Sequence, residues 1–135
     1  MILTALLSGL AGALLSTAVY VHREKRAFKV NTIKKFAANR YDIVGDDFTK
    51  ALNEIFIVFN DSEEVMNALS DFHRIVTTRQ GTTQANDGLV RLYKSMCNNT
   101  KVKYERFNDS FFLMPFNIKQ DQMQQSKESI LKNGR

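Results

Sequence analysis

Hydrophobic positions along this chain follow two patterns: an unbroken apolar stretch at the N-terminus and, after it, a series of amphipathic segments. Residues 2–21 contain no charged side chain. Because a helix rises about 1.5 Å per residue, a stretch of this length covers the roughly 30 Å hydrocarbon core of a bilayer. We therefore predict a transmembrane anchor over residues 1–21, in which the hydroxyls of Thr4, Ser8 and Ser16 bond to helix carbonyls.

A cleaved signal peptide, cut after Ala18, is the alternative interpretation of the same stretch. A signal peptide carries positive charge before a shorter apolar segment. In this chain the Lys and Arg residues come after the apolar stretch and none precedes it. A helix buried inside a soluble protein fits less well, because both faces of this one are apolar. The pattern thus favours an uncleaved anchor.

Small residues mark one side of the predicted span. Ala5, Gly9 and Ala13 recur every four residues, and Gly12 and Ser16 lie beside them on nearly the same helical face. Small side chains let two helix backbones approach closely, as in the small-xxx-small contacts of membrane helices. This face predicts self-association of the span into a homo-oligomer, although such residues are also common in anchors that do not associate.

A basic segment follows the span directly. Residues 22–40 contain seven Lys and Arg residues and one acidic residue, a formal charge of +6 in a chain whose net charge is +5. The remainder is therefore close to neutral, whereas a nucleic-acid-binding domain usually spreads its basic residues over the folded part as well. By the positive-inside rule, we expect a single-pass inner (plasma) membrane protein with its N-terminus outside and its C-terminal domain cytoplasmic.

The basic segment has two expected roles. Lys and Arg side chains just inside a membrane attract anionic lipid headgroups, at about 1 kcal/mol per residue. We expect such contacts from Arg23, Lys25, Arg26 and Lys29. No Gly or Pro interrupts residues 22–39, so the span should continue as one rod, a basic juxtamembrane helix over residues 22–40. Later helices are expected to pack on its apolar stripe, which consists of Val30, Ile33, Phe36 and Ala37.

Residues 41–118 show the spacing of a small helical domain. A helix is predicted from Asp46 or Asp47 as N-cap, and a second from an Asp61–Glu64 pair that resembles a capping box and ends near Arg79. A polar loop over residues 80–85 separates them from a third, which starts at Asn86 or Asp87. Their inward apolar positions are Phe48, Leu52, Ile55, Phe56 and Phe59, then Val65, Ala68, Leu69, Phe72, Ile75 and Val76, then Leu89, Leu92, Tyr93 and Met96.

The C-terminal part is less regular. The run Phe111-Phe112-Leu113-Met114 before Pro115 is apolar and is expected to tuck into the core, while residues 101–108 match no single pattern. Residues 119–135 are mostly polar and predict an exposed terminal helix or tail. The sequence therefore predicts an all-α protein, in which one N-terminal transmembrane helix continues into a small cytoplasmic bundle of about four further helices.

Short matches spread over most of the chain point to one family. They are Phe36 to Arg40, Ala51-Leu52-Asn53 through Phe59, Asp61 and Val65, Leu89 to Met96, and the pair Phe111-Phe112 with Pro115 nearby. These segments resemble an uncharacterised family of short prokaryotic single-span membrane proteins with a cytoplasmic helical domain of unknown function. That family usually carries Tyr-Tyr-Pro-x-Gly at the last site, where this chain has Phe-Phe-Leu-Met-Pro. The resemblance implies the architecture, no known activity, and a loose association with phage-defence gene neighbourhoods.

Residues suited to catalysis or metal binding are few. The chain has one Cys and two His, with neither HExxH nor CxxC spacing, so we predict no metal site and no cofactor. Cys97 would need a histidine to become a nucleophile, and packing as a small hydrophobe is its more common role. A lone Cys cannot form an internal disulfide, which suits a reducing compartment. We expect no enzymatic activity.

Arg40 and Asn53 form the last candidate site. Arg40 ends the rod, distant from the bilayer, and Asn53 lies on the polar side of the next helix. Both could bind a ligand, but hydrogen bonding between helices is the interpretation we favour, since buried polar groups usually serve it.

Two functions follow from the sequence. The first is a membrane-anchored, non-enzymatic protein that assembles with itself or binds a protein partner, with a membrane effector in phage defence as one version. The alternative is a cytoplasmic sensing module that binds a nucleotide signal or nucleic acid through its basic residues. Anionic lipids and copies of the same chain are the expected partners.

Overall fold

The computed structural model describes residues 2–106 and 108–133, and in this part of the chain there are six α-helices and no strand. They are α1 (Ile2–Asn39), α2 (Asp46–Val58), α3 (Glu63–Thr77), α4 (Thr82–Thr100), α5 (Asp109–Leu113) and α6 (Ile118–Asn133). The all-α prediction is confirmed, with one long N-terminal helix followed by a small bundle. The additional element is α5, a single turn inside the apolar run that was expected to tuck into the core. The outermost residues of the predicted span and tail lie outside the described part.

Helix α1 is continuous over 38 residues, which corresponds to roughly 57 Å. Every side chain from Ile2 to Phe28 is exposed, and burial begins at Lys29. The buried positions that follow are Thr32, Ile33 and Phe36. The apolar half therefore protrudes, while the basic half forms part of the bundle, as predicted for a rod that the later helices pack on.

The bundle is built on the second half of α1. Helices α2 and α4 pack against it, α3 packs mainly on α4, and α2 and α3 touch each other little. The core contains large side chains with almost no exposure, among them Phe36, Ile55, Phe59, Leu92 and Met96. Burial of each such side chain stabilises the fold by about 1.5–3 kcal/mol.

An aromatic cluster attaches α5 to the bundle. The Phe36 ring lies 5.2 Å from the Phe48 ring and 6.2 Å from the Phe112 ring, measured between centroids. Tyr93 stacks on Phe112 at 4.4 Å. Only part of the predicted apolar run is therefore inside, because Phe112 is buried whereas Phe111 and Met114 are exposed.

The starts of two helices differ from the prediction by one residue. The N-cap of α2 is Gly45, without a side-chain cap, so Asp46 and Asp47 lie in the first turn, where their charge still favours the helix dipole. The N-cap of α3 is Ser62, whose hydroxyl accepts a hydrogen bond from the Val65 amide at 3.3 Å. The predicted Asp61 cap is wrong because Asp61 accepts from Lys29 instead.

Helix α4 begins four residues earlier than predicted, at Thr82 instead of Asn86. Gly81 precedes it with φ of +114°, a conformation that only glycine adopts at little cost. The residues of the added turn are polar apart from Ala85, and all are exposed or half-buried, so no apolar periodicity marks them as helical. The final helix, α6, is exposed at every described side chain, as expected for the polar tail.

Candidate functional site

Lys29 is part of the bundle and not of a lipid-facing surface. Its Nζ donates to Asp61 Oδ1 at 2.8 Å and to Asn99 Oδ1 at 2.9 Å, and lies 5.4 Å from the centre of the Phe59 ring. The residue is 9% exposed. The predicted lipid contact of Lys29 is therefore wrong, since Lys29 shares the core-facing side of α1 with Ile33 and its flexible stem carries the ammonium to a carboxylate.

The other residues predicted to meet lipid divide into two groups. Arg26 uses its Nε to donate to the Thr100 carbonyl at 2.9 Å, one of the carbonyls that the end of α4 leaves without a helical partner. Arg23 and Lys25 are exposed and form no ion pair within the described residues. They are the members of the predicted group whose charge is available to a membrane surface.

A second polar contact joins α1 to α2. The Thr32 hydroxyl donates to Glu54 Oε1 at 2.7 Å, and Lys35 Nζ donates to Glu54 Oε2 at 2.8 Å. The hydrogen bond from Lys35, and then that from Thr32, hold the pKa of Glu54 below its ordinary value. The hydrogen bond from Lys29 lowers the pKa of Asp61 in the same way. Sequence reasoning missed both sites, because the partners are 22 and 32 residues apart.

Arg40 and Asn53 occupy different places. Arg40 Nε donates to the Phe112 carbonyl at 2.8 Å, another guanidinium nitrogen donates to the Ala37 carbonyl, and the guanidinium carbon lies 5.2 Å from the centre of the Phe112 ring. These contacts fasten α5 to the end of α1, which is the structural role favoured above. Asn53 is exposed on α2 and lines a groove to which Arg40 does not contribute.

That groove lies between α2 and α3, where the two helices are splayed apart. It encloses about 610 Å³, and its lining is mostly apolar. The lining residues are Thr49, Leu52, Asn53, Phe56, Met66, Leu69, Ser70, Phe72, His73 and Val76. Phe56 and Val76, both predicted to face inward, are 61% and 52% exposed. Both residues fit the helical periodicity of their helices, but the side that they face opens onto the groove instead of onto another described helix.

The first half of α1 is long and apolar enough to cross a membrane. The Ser8 hydroxyl donates to the Ala5 carbonyl at 2.9 Å, as predicted. The Thr17 hydroxyl donates to the Ala13 carbonyl at 2.9 Å, a bond that was not predicted. At Gly9 and Gly12 an added Cβ would meet nothing within 4 Å. No other described part of the chain therefore covers the small-residue face at these two glycines.

No family model, curated protein or solved structure matches this chain. The resemblance to the single-span family therefore remains a prediction.

The described side chains offer little for catalysis. No group of three or more His, Cys, Asp or Glu that could hold a metal occurs among them. Cys97 is buried and burial raises its pKa, which disfavours the thiolate that a nucleophile requires. Burial also raises the pKa of the neighbouring Tyr93 to about 12. His73 is exposed at the groove, on a different helix from Cys97.

Proposed function

We propose that this chain is a single-pass inner (plasma) membrane protein that acts by assembling with copies of itself, or with a protein partner, and not by catalysis. One observation carries the proposal: the same continuous helix forms the exposed apolar stretch and the packing platform of the bundle. The bundle is therefore fixed in direction relative to the anchor. Arg23 and Lys25, exposed directly after the span, favour a cytoplasmic bundle by the positive-inside rule.

The direction of the small-residue face supports assembly through the span. Successive helical residues turn by about 100°, so the face with Gly9 and Gly12 lies roughly 140° around α1 from the face with Lys29 and Phe36. Two spans that pair through these glycines would carry their bundles on the outside. The bundles would not collide, and the α2–α3 groove of each copy would stay accessible.

The oligomeric state of the full chain in mild detergent tests this proposal. In Gly9→Leu/Gly12→Leu the leucines hold two backbones apart, so we expect the oligomer to dissociate into monomers. Ala11→Leu/Ala18→Leu is the matched control, since it adds two leucines on the opposite side of the same helix and should leave the oligomer intact. Light scattering of the detergent complexes gives the mass of each.

Two results would contradict the span contact. A wild-type chain that is monomeric at all concentrations would remove self-assembly altogether. An oligomer that survives in both double variants would mean that the contact lies in the bundle.

Perturbation of the bilayer, which the phage-defence version requires, is a separate property measured as dye leakage from vesicles. A span without charged residues is a poor lining for a wide aqueous pore.

Sensing of a nucleotide signal or nucleic acid is the second candidate function. It needs free basic groups in the cytoplasmic part. Lys29, Lys35 and Arg40 each already bond to groups of the same chain, which is why we place this function second. Calorimetry with cyclic oligonucleotides and short RNA would support it if binding were present and weakened with salt.

A further inference from the structure

Two exposed apolar side chains from different helices meet beside the basic segment. Phe28 of α1 and Ile57 of α2 are 60% and 69% exposed, and they line one shallow hollow of about 250 Å³ together with Lys25. They are 29 positions apart in the sequence, so only the fold brings them together. Large exposed apolar side chains that cluster in this way mark a contact surface.

Phe28 continues an apolar face of the span. Leu7, Leu14, Val21 and Phe28 recur every seven residues, which places them along one side of α1. Phe28 lies about 10 Å beyond Val21 along the helix, and helical side chains lean toward the N-terminus, here toward the span. Its ring therefore reaches the depth of the lipid headgroups, which extend roughly 5–7 Å beyond the hydrocarbon core.

Ile57 is held at the same level by the polar contacts of the bundle. It is the second-last residue of α2, and Asp61, four residues later, is fixed to Lys29 of α1 at 2.8 Å. Arg26 ties the end of α4 to the same region of α1. The hollow is thus on the end of the bundle nearest the span, while Arg40 and α5 occupy the opposite end.

We propose that Phe28 and Ile57, with Lys25 of the same hollow, form a second membrane contact that lays the bundle against the cytoplasmic leaflet. This inference rests on the proposed membrane anchor. The apolar side chains enter the interface and the Lys25 ammonium meets lipid phosphate, as in surface-bound amphipathic segments. Membrane helices tilt by about 20° on average, and a tilt of α1 toward α2 brings Ile57 to the bilayer.

Charge around the hollow favours a lipid surface over a protein partner. Arg23 and Lys25 are exposed and outnumber the one exposed carboxylate of this stretch, Glu24. Asp61, which also lines the hollow, is paired with Lys29. The proposed anchor also keeps the membrane surface within reach of the hollow at all times. The contact would limit the bundle to one orientation, which would present the α2–α3 groove in a fixed direction.

The chain contains no Trp, so single-Trp variants report depth at one position each. The full chain is reconstituted into vesicles of phosphatidylcholine and phosphatidylglycerol in equal parts, with lipid brominated near the headgroup or near the chain end. Ile57→Trp tests the contact. Leu10→Trp is the control inside the span, and Phe116→Trp, at an 80% exposed position of the opposite end, is the control for solvent.

We expect Trp fluorescence at position 57 to be blue-shifted and quenched several-fold more strongly by shallow bromine than at position 116. At position 10 we expect quenching by deep bromine. Adding Lys25→Glu to Ile57→Trp should weaken the shallow quenching, since it repels phosphate. If position 10 is quenched while position 57 behaves like position 116, the membrane contact is overturned and the anchor stands.

The other outcomes are equally distinct. A blue shift at position 57 without quenching would mean that protein, such as a second copy, covers the hollow, and would overturn the lipid contact. Absence of quenching at position 10 would overturn the anchor itself.

Discussion

At the residue scale, the fate of each basic side chain depends on how far along α1 it lies as well as on the side of the helix that it occupies. Lys29 is buried with its ammonium on Asp61 and Asn99, whereas Lys25, one turn earlier, is exposed. Both follow the span closely and both looked equally suited to lipid. A core-facing Lys is retained here because a carboxylate and an amide oxygen meet it, without which burial of its charge would be costly.

The two lowered carboxyl pKa values predict how stability depends on pH. Because the pKa of Glu54 and that of Asp61 are lower in the folded state, their stabilisation is present at neutral pH. It is lost as pH falls below about 4, the ordinary range of these groups, and through the lowered values. We expect the Tm of the full chain in detergent to fall over that range. The side chains of Asp61 and Glu54 are 56% and 32% exposed, so solvent screens both pairs and each contributes below about 1 kcal/mol.

The double variant Glu54→Gln/Asp61→Asn isolates this effect. Its Tm should be lower at neutral pH and should fall less steeply in acid. Asp47→Asn is the control, since Asp47 and its partner Lys50 are each 75% exposed and 3.4 Å apart. Equal acid slopes in the double variant and the wild type would mean that other groups control acid unfolding.

At the element scale, the close approach of α3 and α4 depends on Gly88. An added Cβ there would lie 3.2 Å from Ile75 Cδ1 and 3.2 Å from Phe72 Cδ2. We expect Gly88→Leu to destabilise the bundle by about 1–3 kcal/mol through overpacking. Gly88→Ala should change stability little, because a helix propensity gain of about 1 kcal/mol offsets the tight contact. Thermal unfolding followed by circular dichroism compares the two, and equal Tm values would show that α3 and α4 separate without cost.

Much of this element-level arrangement was predictable, and the misses share a cause. Core positions such as Phe48, Ile55, Val65 and Leu92 repeat with helical spacing and are buried, since the inward face of an amphipathic helix is written in its own sequence. The first turn of α4 has no such face, so its start was placed too late. Arg40 and Asn53 were predicted as one site but lie apart in the structure. Contacts between residues of different helices depend on how the helices pack.

At the scale of the whole molecule, the orientation in the membrane is the property on which the proposed function depends. We expect a C-terminal green fluorescent protein fusion to be fluorescent and a C-terminal alkaline phosphatase fusion to be inactive. A second variant moves two positive charges from one end of the span to the other: it combines Arg23→Gln/Lys25→Gln with Leu3→Lys/Thr4→Lys. This variant should shift the population toward active phosphatase. Lys119→Gln/Lys127→Gln, on exposed positions of α6, is the control and should change nothing. Strong phosphatase activity of the unaltered chain would contradict a cytoplasmic bundle.

The long apolar stretch, every described helix except α5 and most of the core are predictable from the amino-acid sequence, because they depend on length, charge and spacing within one segment. The folded arrangement was needed to show which basic residues are buried, that Arg40 holds α5, that α2 and α3 leave a groove, and that Phe28 meets Ile57. Each of these joins residues far apart in the chain. The distance between such residues in space depends on how the helices pack, which the periodicity within one segment does not indicate.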